Sequence, residues 1–489
     1  MRLWIGLHLP RLPLEVFSPR WSADTGTAVL EHEVVLAVSR LAHQAGVRPG
    51  MRRGGALMLA PEIALHERAP AQEAEALHAV ALALLRYTPQ VTEGEEATLL
   101  LDVGASLRLF GGIRRLCALV RDSLEALGFT AVLGVAPTAR GAWLLARSGA
   151  GRSLTIERME RRLQALPVSL LPPARPYLAW LEGIGCLTVG ELMRLPRPGL
   201  QRRCGRALLD VLDAARGHTA EMFRWIEAPP TFRAKLELFD RIENTDLLLA
   251  GARRLLQQLT GWLCARQFAV ERISLLLEHE RGRVARPPTA IDILLAEAVW
   301  RDEHLVRLLK ERLAKLALEA PVIGLCLEAP QVKPMAPLSD SLFPEPGGSK
   351  ADRLRLFELL VARLGADNVL QAAPRADHRP EYANGWAPVQ DKPANVAAAL
   401  PPGSLPRPAW LLAKPIPLLV RDHRPFYCSP LRMVSSAERI EAGWWGETQT
   451  RDYFIAQGED NAHYWVYRER LTGTDEDAEP RWYLHGLFG

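Results

Sequence analysis

The stretch ATLLLDVGASLRLFGG, residues 97–112, decides how the N-terminal region reads. Its first seven residues make an apolar run of strand length, and Gly104 and the pair Gly111-Gly112 punctuate the remainder. From Gly112 to Leu127 apolar residues recur at helical spacing. Leu116, Leu119, Val120, Leu124 and Leu127 share one face, and Arg114, Arg115, Arg121 and Asp122 lie largely on the other. Outward on either side stand two more runs of strand length, LWIGLHL (3–9) and TAVLGVA (130–136). Residues 1–150 therefore read as mixed α/β.

The whole chain has 489 residues, enough for several domains, and 24% of them are charged, which excludes a disordered or fibrous chain. A net charge of +4 neither demands nor excludes a polyanionic partner. Six cysteines, none in a CxxC pair, match no zinc pattern and read as reduced, mostly buried thiols. The N-terminus is broken by Arg2, His8, Pro10, Arg11 and Pro13, so it lacks the apolar core of a signal peptide. No run approaches the ~18 apolar residues of a membrane span. The expected setting is cytoplasmic.

Residues 151–231 turn to short helices separated by Gly and Pro. Between 151 and 233 thirteen Arg stand against eight acids, so the small global charge hides a basic segment. Residues 232–330 read as strand (232–242), helix (246–267), strand (270–278), strand (290–296), helix (302–316) and strand (321–327), a β-α-β-β-α-β module with helices on one face. A Pro/Gly/Ser-rich loop fills 331–349. Residues 350–419 read as a helix (350–364) and a Pro/Ala-rich linker over about 384–408. The last segment, 420–489, holds twelve of the 33 aromatics, with alternation that predicts a small antiparallel sheet. Its Trp444, Trp445, Trp465 and Tyr467 are expected mostly in the core of that sheet. Asp-His-Arg-Pro occurs at 377–380 and 422–425 and reads as turn chemistry, since Arg beside each His opposes a metal cation.

In this order the chain resembles a Y-family translesion DNA polymerase, with palm and fingers (1–150), a helix-hairpin-helix thumb (151–231) and a little finger (232–330). Four stretches carry the resemblance: LWIGLHLPRLPLEVF, VVLAVSRLAHQAGVRPGM, ATLLLDVGASLRLFGG and GFTAVLGVAPTARGAWLLA. The resemblance implies phosphoryl transfer through two Mg²⁺ ions held by three acids, one on the first strand and an adjacent pair on the second. Those positions are Gly6, Ala97 and Thr98 here. Glu95 and Glu96 stand two positions upstream, a shift of ~6–7 Å along a strand, where a metal ligand tolerates ~0.2 Å. Asp102 matches an acid that is not a ligand. All three are expected as solvated or capping carboxylates. The residues that grip the triphosphate become Arg40 and His43, the pair that packs the sugar becomes Pro10 and Arg11, and a Pro-Asn-Lys motif becomes Pro137-Thr138-Ala139. The resemblance thus implies a fold without its catalysis, no metal and no cofactor. The alternatives are a divergent polymerase using Glu95, Glu96 or Asp102, and an unrelated helix-hairpin-helix repair protein.

Gly183-Ile184-Gly185 fits a helix-hairpin-helix turn whose N–H groups meet a phosphate, or equally a tight turn between packed helices. With Arg194, Arg197, Arg202, Arg203 and Arg206 after it, the expectation is a sequence-independent, salt-sensitive grip on DNA backbone. The stretches SSAERIEAGWW (435–445), RDYF (451–454) and RWYLHGLF (481–488), beside the missing acids, resemble the inactive polymerase homologues of bacterial mutasomes. That resemblance implies SOS-induced mutagenesis and three protein partners: the β sliding clamp, a RecA-like accessory protein and an error-prone C-family DNA polymerase. Ser339-Asp340-Ser341-Leu342-Phe343 is similar to clamp-binding peptides, whose Leu-Phe pair anchors in an apolar pocket, although the leading Gln is absent. Leu356-Phe357 is expected as helix core, and Leu487-Phe488 as strand.

Overall fold

The computed structural model describes residues 2–22, 26–149, 151–280, 286–318, 320–335, 350–375, 377–391, 406–442, 449–470 and 481–488. Two compact units divide the chain, Met1–Arg363 and Leu364–Gly489.

The first unit opens with β1 (Trp4–His8) and the one-turn α1 (Leu12–Glu15). A small three-stranded sheet comes next, β2 (Thr27–Glu31), β3 (Val34–Val38) and β4 (Ala64–Glu67), in the order β3-β2-β4. Its helices are α2 (Arg40–Gln44) and α3 (Arg53–Leu59). The chain returns through α4 (Pro70–Leu84), β5 (Val91–Gly94), β6 (Thr98–Asp102), α5 (Ile113–Leu127), β7 (Val132–Ala136) and α6 (Ala139–Ser148). The main sheet runs β5-β6-β1-β7, with β1 antiparallel to both neighbours. Alternation along β1 splits its side chains between two faces. Ile5 and Leu7 join the core under α4 and α5 with Val80, Leu116, Val120 and Leu124. Trp4, on the other face, joins Trp143 and Leu144 of α6 and the helices beyond it.

Those helices are α7 (Ile156–Gln164), α8 (Leu178–Gly183), α9 (Val189–Arg194), α10 (Arg197–Cys204) and α11 (Arg206–Arg216). The expected β-α-β-β-α-β module is present as β8 (Arg233–Ile242), α12 (Thr245–Arg266), β9 (Phe268–His279), β10 (Thr289–Val299), α13 (Asp302–Ala314) and β11 (Val322–Pro334), in sheet order β10-β9-β11-β8. Its last strand is longer than its apolar run. Residues 331–334, expected in the loop, pair with 268–272 of β9 as an exposed extension of β11. The segment of helix α14 (Lys350–Leu364) is likewise more than a lead-in to a linker. Glu358 is buried, accepts from Ala296 N at 2.6 Å and bonds His304, which ties α14 to the module. Leu356 is 54% exposed there, against the expectation of a core residue.

The second unit contains β12 (Leu370–Pro374), the short α15 (Pro380–Ala383) and β13 (Asn384–Pro388), a hairpin whose second strand lies in the stretch expected as linker. An eight-stranded sheet comes after it: β14 (Trp410–Arg421), β15 (Arg424–Tyr427), β16 (Ser429–Pro430), β17 (Arg432–Met433), β18 (Glu438–Ala442), β19 (Gln449–Gln457), β20 (His463–Glu469) and β21 (Trp482–Leu487). The expected boundary at 419/420 falls within β14, whose residues 410–418 pair with β21. Composition hid this strand, because Pro415 and Pro417 lie in it. A register shift between Leu411 and Ile416 spans Pro415, and Pro417 is paired with Tyr483 of β21. Trp465 and Tyr467 are buried in a stacked aromatic core with Tyr453. Trp444 and Trp445 lie outside the described residues. Both Asp-His-Arg-Pro strings serve turns. Asp377 accepts from the Arg379 N–H at 2.9 Å, and Asp422 and His423 take left-handed φ of +49° and +61° between β14 and β15.

Candidate functional site

The three positions matched to metal-binding acids lie in β1 and at the start of β6, and at Gly6 the packing leaves no room for a side chain. Gly6 pairs with Leu100 on one side and with Gly134 of β7 on the other. Helix α6 lies on this glycine pair backbone to backbone. A Cβ on Gly6 would stand 2.4 Å from the Ala142 carbonyl oxygen, and one on Gly134 would stand 2.2 Å from Ala146 N. Ala97 falls in the turn between β5 and β6, where Glu96 and Ala97 both have positive φ, +57° and +50°. Thr98 is fully buried, and its hydroxyl lies 3.1 Å from the Glu96 carbonyl oxygen and 3.4 Å from His8 Nδ1.

The nearby acids have partners. Glu96 takes Arg147 at 2.5 Å and Arg175 at 2.6 Å. Burial opposes its charge, but the bond from Arg175 and the field of Arg147 outweigh this and hold its carboxyl below the ordinary value. Glu95 meets Arg140 at 3.3 Å, and its carbonyl accepts from Trp143 Nε1 at 3.1 Å. Arg140 and Arg147 flank the buried Trp143 ring, with guanidinium carbons 5.0 and 4.9 Å from it. Asp102 accepts from Gly104 N at 3.1 Å and pairs with Arg2 at 3.5 Å, a turn cap as expected. Among the described residues no group of three or more His, Cys, Asp or Glu is placed to hold a metal ion. Arg140, Arg147 and Arg175, which clamp the β5–β6 turn, carry no local sequence signal, because their partners lie 45–79 residues away.

The positions matched to nucleotide-handling residues have contacts of their own. Arg11, Ser39, Arg40 and His43 line one open depression, and Arg11 donates to the Val38 carbonyl at 3.2 Å. Pro137-Thr138-Ala139 starts a helix. The Thr138 hydroxyl accepts from Gly141 N at 3.1 Å as the N-cap of α6 and donates to the Ala215 carbonyl of α11 at 2.8 Å.

In the hairpin between α8 and α9, Gly185 has φ +76°, and nothing lies within 4 Å of a Cβ on Gly183 or Gly185. Ile184 is half exposed. The surface is open, but the expected N–H cradle is occupied. Ile184 N, Gly185 N and Cys186 N donate to the carbonyls of Trp180, Glu182 and Leu181. Leu187 N and Thr188 N both donate to Glu191 Oε2 at 2.9 Å, and Thr188 closes a capping box. A helix end satisfies its own groups first, and here these N–H groups have partners within the hairpin. Arg194, Arg202, Arg203 and Arg206 are exposed. Arg203 stacks on Trp180 at 5.3 Å, Arg206 lies 3.5 Å from Asp210, and Arg202 has no ion-pair partner among the described residues. Arg197 is committed instead to a fork on Asp213, at 2.6 and 3.0 Å. Residues 339–343, the expected clamp peptide, lie outside the described residues.

Residues 17–147, which hold the small three-stranded sheet and most of the main one, match the impB/mucB/samB family. The chain has a multidomain α/β and α+β fold, and its element order is the one the Y-family resemblance implies. Over 473 residues it is 28% identical to Protein ImuB of Caulobacter vibrioides, covering 91% of this chain and all of that protein. It is also 28% identical over 178 residues to DNA polymerase IV of Yersinia pseudotuberculosis, covering 35% of this chain and 51% of the polymerase. Among solved structures, DinB from Sulfolobus solfataricus aligns with 68% of this chain and 100% of its own, at 15% identity and a TM-score of 0.36.

Proposed function

We propose that the chain is a non-catalytic, Y-family-like adaptor in SOS-induced, error-prone translesion DNA synthesis. It holds damaged DNA through the exposed arginines of its thumb-like segment and brings a separate polymerase to it. The similarity to Protein ImuB over nearly the whole chain, and to a DNA polymerase over 178 residues, supports a mutagenesis-associated DNA-binding protein. The observation that carries the non-catalytic reading is the seating of α6 on Gly6, which leaves no room for the first metal ligand. In this reading the partners are the β sliding clamp, an ImuA-type RecA-like protein and an error-prone C-family DNA polymerase, and the site of action is the nucleoid. Among the described residues no helix is long and apolar enough to cross a membrane.

Primer extension tests the reading. The purified chain is expected to extend no primer with Mg²⁺ or Mn²⁺. Extension that disappears when Glu95, Glu96 and Asp102 are all changed to Ala would overturn the proposal in favour of a divergent polymerase. The clamp contact has its own test. Leu342→Ala with Phe343→Ala is expected to abolish pull-down by the sliding clamp and leave DNA binding intact. Undiminished clamp binding would assign the contact to another segment.

A further inference from the structure

In the second unit one transverse row crosses four strands. Arg439 of β18 pairs with Asp452 of β19, Asp452 with Arg468 of β20, and Arg468 with Trp482 of β21. Residues paired in this way share a face of the sheet. Asp452 is 1% exposed and takes three guanidiniums, from Arg439 at 2.9 Å, Arg468 at 3.1 Å and Arg470 at 3.1 Å. One guanidinium neutralises a carboxylate. Three leave this cluster at +2, reduced on one flank by Glu441 beside Arg439. Each arginine keeps a third to a half of its side-chain surface in solvent. A buried carboxylate that anchors three exposed guanidiniums aims their remaining donors outward and holds their forks in place, the geometry suited to an oxyanion with several acceptor oxygens. The same row continues into the half-buried indole of Trp482, over which Arg468 lies at 6.0 Å and against which Phe454 packs at 5.4 Å.

Guanidiniums followed by an aromatic platform on one sheet face match a strand of phosphates with unpaired bases. An acidic peptide would use the arginines and leave the indole idle. We propose that the row Arg439–Asp452–Arg468–Trp482, with Arg470, binds single-stranded nucleic acid, with phosphates on the arginines and a base on Trp482. Asp452 is a positioning residue. The contact is separate from the arginines of the first unit and does not depend on the adaptor reading.

The test uses the full chain and a fluorescent oligo(dT) strand, with the exposed arginines of the thumb-like segment already replaced (Arg194→Gln, Arg202→Gln, Arg203→Gln and Arg206→Gln). Binding is expected to persist in that background. Arg439→Gln and Arg470→Gln each leave Asp452 two partners, so the fold is kept. Each should lower the slope of log affinity against log salt by about 0.7, one phosphate contact. Arg470→Lys should restore the slope, which a purely structural role would not predict. Trp482→Leu should weaken binding about tenfold, the range of one lost base stack. Loss of all binding in the background variant, an unchanged slope in both Gln variants, or equal competition by a poly-glutamate peptide would each overturn the proposal.

Discussion

Gly6→Asp, the substitution that would restore the first metal ligand, is expected to lower the stability of the N-terminal unit by about 3–5 kcal/mol, the cost of an uncompensated buried charge. The new Cβ would stand 2.4 Å from the Ala142 carbonyl oxygen, so α6 must lift from the sheet before any carboxylate can enter. The group it would face is itself an acceptor, which adds repulsion to overlap. Gly6→Ala separates the two effects. It carries the overlap without the charge and is expected to cost about 1–3 kcal/mol, as overpacking does. Gly134→Ala, at the paired position under the same helix, should cost a similar amount. Denaturant unfolding of the three variants gives the comparison. The full restoration, Gly6→Asp with Ala97→Asp and Thr98→Glu, is expected to be less stable still and to extend no primer. Stability regained by the triple variant on addition of Mn²⁺ would show that the metal site can be rebuilt, and would contradict the sealed palm.

The same residues show what could be read from the sequence alone. The module at 233–334 was legible because its strands alternate and its helices are amphipathic, signals that lie within ten or twenty residues. The absence of acids at Gly6, Ala97 and Thr98 was legible by matching motifs. What fills their place was not, since the contact of α6 with Gly6 joins residues 136 apart in the chain and shows only as two unremarked glycines. The thumb hairpin was only partly legible, for a related reason. Gly183-Ile184-Gly185 states that a tight turn occurs, but the competition between a phosphate and Glu191 for the next N–H groups is decided by the capping geometry. In the second unit, alternation marked β19, β20 and β21. The prolines of β14 and the Pro/Ala-rich composition around β13 disguised strands that depend on pairing across the sheet. Asp452 and its three arginines were all in view as letters, and only the register places them in one row.

The second unit should lose about 3 kcal/mol of stability as pH falls from 7 to 4, through a single histidine. His485 is 1% exposed, its ring lies beside the stacked pair Trp465 and Tyr453 at 5.7 and 5.8 Å, and its Nδ1 lies 2.9 Å from the Tyr453 hydroxyl. Burial pushes its pKa down to about 4, and the field of Arg451 adds to this against the opposing Glu381. In the unfolded chain the same imidazole titrates near its ordinary ~6.5. The sign depends on which state binds the proton. Above ~6.5 both states are neutral at this position, and the stability contribution is complete. Below it the unfolded chain takes up a proton that the fold refuses until pH nears 4, so stability falls by ~1.4 kcal/mol per pH unit across that window. Asp452, held to about 2 by its arginines against the cost of burial, acts in a lower window, between its ordinary value and 2. The two contributions therefore separate on the pH axis. His485→Gln keeps a hydrogen-bonding partner for Tyr453 but cannot titrate, and it should flatten the dependence between pH 6.5 and 4 while leaving the steeper loss below pH 4. Amide exchange over residues 449–470 and 481–488, tracked across this range in urea, reads the second unit apart from the first. An equal pH dependence in the unmodified chain and in His485→Gln would exclude His485 as its source.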